Sequence, residues 1–329
     1  MTNPARSSKA KEAAKAKGRI VSVPVVNNNK NKKNRKSAPS KSRKTKVSLP
    51  WIAVGVVVVL VTGLVLFATL GKSSSSDSNA DSSQPAPSSV VNAVTTIPDS
   101  IYNQIGVTST GVSVTPPTKV SGQKPLTSVS PSGKTLPAVY YYGAEYCPYC
   151  AAERWAVAAS LSRFGAMSNL WITTSSSTDV FPSTSSLSFA KVSFNSPDLA
   201  FRGIERYGNV VQANGAYNTI MTPTKAENAL LKKYDSTTYI PSGSNGSIPF
   251  MDIGNQFLIS GSSFSPSVLQ GLTHAQIASG LNDPSNPATQ AIIASSNYIS
   301  ASICQTTGGK PGNVCDSSGV KAAAKVMGF

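Results

Sequence analysis

Apolar and polar positions along this 329-residue chain change rhythm several times, and each change marks an element. Residues 51–71 are one unbroken apolar run, whereas 1–50 and 72–95 hold few large apolar side chains. Beyond them, residues 98–107 read as a short capped helix with Ile101, Tyr102 and Ile105 on one side. A first strand is expected within 112–120, followed by a turn-rich stretch at 121–133. Residues 136–142 are β-branched and aromatic, which predicts a strand. The next segment, 148–164, predicts a helix with Ala151, Ala152, Trp155, Ala158, Ala159 and Ser162 on one small-residue face. Residues 169–175 and 187–194 are strand-like, the latter apolar on both faces, and 198–218 reads as loop with a little strand. A strand–helix–strand succession is a right-handed crossover, so a parallel pair is expected here.

The C-terminal part is punctuated more sharply. Residues 223–234 predict a helix. Two apolar runs, 248–253 and 257–259, flank Gly254-Asn255, a tight-hairpin signature. Thr273 caps a helix, Gln276 completes the box three residues on, and Gly280 ends it. Asn286-Pro287 opens a longer helix over 288–303. The fold class predicted is α/β, a mixed sheet flanked by helices, over residues 96–329.

Charge divides the chain. Residues 1–50 hold 15 of the 30 Lys and Arg and one acid, Glu12. The remaining residues are close to neutral, so the net charge of +16 belongs to the tail. Such a tail buries no core and is expected to be disordered. It reads as a cytoplasmic topology determinant touching anionic lipid rather than as a nucleic-acid-binding arm. The 21 residues of 51–71 match the roughly 20 needed to span a bilayer, and no small-x-small cleavage site follows. An uncleaved, single-pass signal anchor is expected, with residues 72–95 a Ser/Pro/Asn-rich stalk and the rest extracytoplasmic in the cell membrane. Residues 72–329 contain only 28 charged side chains, which fits an exterior at low pH where carboxylates contribute little.

Candidate chemistry concentrates at Tyr146-Cys147-Pro148-Tyr149-Cys150, where strand becomes helix. Pro148 is tolerated in the first turn, and Cys147 then meets the unpaired N–H groups of the helix N-terminus. That setting favours a thiolate, the nucleophile of disulfide exchange, and Cys150 one turn later can close a ring with it. Cys304 and Cys315, around a Gly/Pro loop, read as a structural disulfide outside the cytoplasm. A second redox pair relaying electrons to Cys147 and Cys150 is the competing reading, and a four-cysteine zinc site fits the spacings poorly. His274, the one histidine, reads as an exposed early-helix residue without the company of a metal site or catalytic base. No phosphate loop, dinucleotide fingerprint, paired metal-ligand histidines or nucleophile elbow occurs. No metal and no cofactor is expected.

Tyr146 to Trp155, continued by Leu161-Ser162-Arg163-Phe164-Gly165, resembles the active-site segment of the thioredoxin superfamily in its Cys-Pro-x-Cys form, shared by glutaredoxins and DsbA-type oxidants. More narrowly it resembles an uncharacterised, membrane-anchored thioredoxin-like family of archaea and actinobacteria, a domain of unknown function, over roughly residues 95–320. The resemblance implies a thioredoxin-like fold in which 223–234 is a helical insertion and Ile248-Pro249 is the cis-proline loop. The plain alternative for Pro249 is a trans proline at a strand start. Under the resemblance, Cys147, exposed at the helix start, attacks or is attacked, and the more buried Cys150 resolves the mixed disulfide. The backbone of Ile248 holds an extended substrate chain, with Tyr146 and Tyr149 as apolar walls. The implied function is a membrane-tethered thiol–disulfide oxidoreductase, an oxidase or isomerase. Its partners are exported proteins bearing thiols or disulfides, and a membrane redox partner. With no charged or His side chain between the cysteines, a reduction potential of about −230 to −150 mV is expected. The alternative is a non-catalytic thioredoxin-like binding or assembly module whose disulfides are structural.

Overall fold

The computed structural model describes residues 83–130, 133–240 and 245–329. The expected basic tail and the apolar run at 51–71 lie outside them. Among the described residues no helix is long and apolar enough to cross a membrane.

The protein is α/β, with a mixed sheet flanked by helices. Six strands form the central sheet: β1 (Thr118–Lys119), β2 (Thr127–Val129), β3 (Thr135–Gly143), β4 (Ala200–Glu205), β5 (Phe250–Ile253) and β6 (Phe257–Ser260). They run in the order β1-β6-β5-β3, and the far edge of β3 is shared by β2 at its start and β4 beyond. Only the β3–β4 pair is parallel, with Tyr141 opposite Gly203; the others are antiparallel. The helices are α1 (Ser88–Thr95), α2 (Asp99–Ile105), α3 (Pro148–Leu161), α4 (Lys225–Tyr234), α5 (His274–Gly280), α6 (Pro287–Thr307), α7 (Gly312–Cys315) and α8 (Ser318–Val326).

Alternation along the strands divides the core into two layers. Val139, Tyr141, Met251, Ile253 and Phe257 face α3 and α6 in the main core. Tyr142, Ile204, Phe250 and Leu258 face the opposite way and pack with Tyr234, the last residue of α4, and with Ile240 beyond it. Apart from Tyr149, helix α3 is buried on every side, which its run of alanines permits. Asn297 of α6 donates to the carbonyls of Tyr102 (2.9 Å) and Gly106 (2.7 Å), closing the C-terminus of α2. Gly254 and Asn255, both at positive φ, turn β5 into β6 as their residue types predict.

Several expectations need correction. The parallel partner of β3 is Ala200–Glu205, part of a stretch that reads from sequence as loop with only a little strand. Gly203 and two charged residues break its strand pattern, but each has a tertiary reason. Phe189 fills the space where a Cβ on Gly203 would lie, 2.6 Å away, while Arg202 pairs with Glu227 and Glu205 with Arg154. The segment at 169–175 pairs instead with Ser185–Ser188 and Gln84–Pro85 in a separate antiparallel sheet. The stretch at 187–194 is split between two short strands. Only Thr118–Lys119 of the expected first strand enters a ladder. Residues 84–95 of the expected stalk are part of the folded domain. Residues 84–85 pair with 171–172, and Val90 and Val94 bury α1 against the domain, because those apolar positions recur one helical turn apart. His274 is half-buried rather than exposed, its Nε2 lying 2.7 Å from the carbonyl of Thr173 and tying α5 to the second sheet.

Candidate active site

The turn from β3 into α3 is where the chemistry collects. Cys147 is the N-cap of α3, with extended backbone, and Pro148 opens the first turn. Its sulfur accepts the N–H of Cys150 at 3.3 Å, using a donor that has no partner within the helix. On the other side the thiol donates to the carbonyl of Ile248 at 3.6 Å. The Ile248-Pro249 peptide is cis, so the loop entering β5 turns its backbone toward Cys147. Strand β5 lies beside β3, with Phe250 opposite Tyr142, which is why residues a hundred apart in sequence meet here.

The two thiols are in unlike surroundings. A hydrogen bond from the Cys150 thiol, and the N–H groups of Cys150 and Tyr149, hold the Cys147 thiol below the usual cysteine range against the effect of its burial. Burial pushes the Cys150 thiol well above that range, and its hydrogen bond to Cys147 pushes the same way. Cys147 was expected to be exposed; it is only 5% accessible. Tyr146 and Tyr149 flank the pair differently from the simple walls expected. Tyr146 stacks on Tyr217 at 4.1 Å and 9°, with Tyr207 beyond, whereas Tyr149 stands 41% exposed with its ring edge-on to Phe181. The hairpin of Tyr207–Val211 and Tyr217–Thr219 and the loop around Phe181 thus frame the dithiol.

Beneath the dithiol lies an ion pair that the sequence reading missed. Arg154, one helical turn past Cys150, is fully buried. Its Nε and Nη2 each reach Glu205 at 2.7 Å, Nη2 also donates to the Ala144 carbonyl at 2.7 Å, and Nη1 donates to Ser186 Oγ at 3.0 Å. The guanidinium therefore pins the loop that presents Cys147 to β4 and to the second sheet. One signal was available: Glu153-Arg154 sits in a helix otherwise built of apolar and small residues, so those charges needed buried partners. Glu153 finds them in Ser263, whose N–H donates at 2.7 Å and hydroxyl at 2.9 Å. Glu145 is also buried, and its Oε1 accepts from Ser83 and Ser188. Cys304 and Cys315 are bonded to each other at the C-terminal end of the domain, joining α6 to α7.

Fold and site together define an α/β domain carrying a buried, electrostatically asymmetric dithiol at a helix N-terminus, beside a cis-proline loop. The chain belongs to the family described as Domain of unknown function (DUF929), whose model matches residues 118–305. No curated protein matches the chain. No solved structure matches it either.

Proposed function

We propose that the chain is a thioredoxin-like thiol–disulfide oxidoreductase, tethered to the cell membrane by 51–71 and acting on exported proteins outside it. The observation that carries this reading is the division between the thiols: Cys147 is favoured as thiolate, and Cys150 is held protonated and deeper. The Cys147 thiolate attacks a substrate disulfide, and one substrate sulfur leaves with the electron pair and takes a proton. Cys150, once deprotonated, attacks Cys147 Sγ; the internal disulfide forms and the second substrate sulfur leaves. Two protein thiols become a disulfide as the substrate disulfide becomes two thiols, and the reverse sequence oxidises a substrate dithiol. The Ile248 carbonyl beside Cys147 offers a backbone acceptor to an extended substrate chain. Arg154 adds positive charge near the dithiol, and its pairing with Glu205 offsets much of that charge. A reduction potential of about −230 to −150 mV is therefore retained. Insulin reduction and reoxidation of reduced ribonuclease, run with the full chain in detergent, test the reading. Turnover in either assay that is lost in Cys147→Ala supports it; absence of both from a folded protein overturns it.

One observation favours a second reading, a binding or assembly module with an inert dithiol: Cys147 is 5% accessible. Alkylation separates the two. A catalytic Cys147 reacts with iodoacetamide at pH 6 faster than a free thiol, whereas an inert, covered one reacts more slowly.

A further inference from the structure

The chain enters the cis-proline peptide through Asn245-Gly246-Ser247-Ile248-Pro249. Of the 15 asparagines in residues 72–329, only Asn245 is followed two places on by Ser or Thr. Asn-x-Ser with x other than Pro is the acceptor pattern for N-linked sugar, and it needs a surface loop outside the cytoplasm. Asn245 lies on such a loop and is exposed. The Gly246 N–H donates to Asp235 Oδ1, just past α4, at 2.8 Å, which fixes the turn to the domain. Gly246 is at a φ of 80°, and a Cβ built there would meet nothing within 4 Å, so the turn borders open space. Asn245 and Ile248 are three positions apart, so their Cα atoms lie within about 11 Å of each other. The Ile248 carbonyl is 3.6 Å from Cys147 Sγ.

We propose that Asn245 carries an N-linked oligosaccharide that screens the cis-proline loop. Its attachment rests on the extracytoplasmic placement, and its effect on substrates rests on the oxidoreductase reading. The donor is an oligosaccharide activated on a lipid phosphate. Asn245 Nδ2 attacks the anomeric carbon of the sugar, and the N–C bond forms as the C–O bond to phosphate breaks. The lipid phosphate leaves with the electron pair, and the amide gives up one proton. An amide nitrogen is a weak nucleophile, because its lone pair is shared with the carbonyl, so the acceptor chain has to bend into a transferase. Glycine at 246 removes the side chain that would resist that bending. A sugar rooted at Asn245 is bulky, hydrated and uncharged, and it crowds the approach to Ile248 and Cys147 from the side of this turn. An extended chain passes it and a folded protein does not. The substrate class that follows is exported chains that still lack tertiary structure around their cysteines.

The full chain is purified in detergent from the membranes of its own cells, and the peptide spanning Asn245 is sequenced by tandem mass spectrometry. Sugar mass is expected on Asn245, lost in Asn245→Gln and in Ser247→Ala and kept in Ser247→Thr, which retains the hydroxyl. Asn245 found bare or deamidated, or sugar on Ser247 instead, overturns the proposal. The wild-type spectrum decides this even where a variant does not fold. Screening is read on the folded glycoprotein before and after enzymatic removal of the sugar. Alkylation of Cys147 by iodoacetamide should not change, whereas alkylation by a polymer-linked maleimide should become severalfold faster. An equal rate with the bulky reagent before and after removal overturns the screening. The two underlying readings fail on their own assays: impermeant protease on intact cells tests the placement, and insulin reduction tests the chemistry.

Discussion

Single atoms at the start of α3 set its two sulfurs apart. Cys147 gathers N–H groups because it caps a helix, whereas Cys150, three residues on, lies inside the core. Cys150→Ala should therefore trap mixed disulfides through Cys147, and Cys147→Ala should trap none; non-reducing gels of cell extracts read the difference. Arg154 and Glu205 allow a second test at this scale. Arg154→Met alone leaves a carboxylate buried without its partner, and stability should fall by about 3–5 kcal/mol in urea unfolding. Adding Glu205→Gln should restore most of that loss, because the charge left unpaired is removed with its partner. Equal destabilisation in the single and double variants would show that packing, not charge, is what Arg154 contributes.

Elements meet here through a few polar ties set in apolar interfaces. Asn297 is the clearest, since its amide satisfies two carbonyls at the C-terminal end of α2. Asn297→Ala leaves both without that donor in a buried site, and a loss of about 1–3 kcal/mol is expected by chemical denaturation. The disulfide joins Cys304 and Cys315, eleven positions apart in sequence, and ties α6 to α7. Replacing both with Ser should lower stability by about 3 kcal/mol in a chain-entropy estimate. Turnover should survive in the folded double variant; its loss there would assign the pair to an electron relay.

At the scale of the whole molecule, the carboxylates lean toward acid conditions. Burial pushes Glu145, Glu153, Asp235 and Asp252 upward, Asp252 to about 7. Each binds its proton more tightly folded than unfolded, so its contribution is full below the unfolded value and is lost as pH rises through the folded one. For Asp252 that window runs from 3.8 to about 7. Glu227, held low by the Thr224 N–H and Arg202 despite desolvation, works in the opposite sense, losing its contribution as pH falls through its folded value. The balance predicts a domain more stable near pH 4.5 than near pH 7.5, by on the order of a few kcal/mol. Calorimetry across that range checks it, and Asp252→Asn should flatten much of the slope. A midpoint that falls steadily from neutral to acid pH would contradict it, and with it the account of why so few charges occur in residues 72–329.

Local signals in the chain determined whatever depends on neighbours in sequence. Cys147-Pro148 at a strand–helix junction, the Thr273–Gln276 box, the turn at Gly254-Asn255 and the Asn286-Pro287 helix start each carry their own short-range reason, and each is realised within a residue or two. Tertiary structure alone decided what depends on distant partners. Strand β4 was illegible because Gly203 and Glu205 make sense only against Phe189 and Arg154. Cys147 looked exposed from its place at a helix start, and the aromatic hairpin and the cis-proline loop that enclose it come from remote segments. Backbone propensity acts over a few residues, whereas burial and charge pairing are properties of the assembled core, so the elements could be read from the chain and the partners of their charges could not.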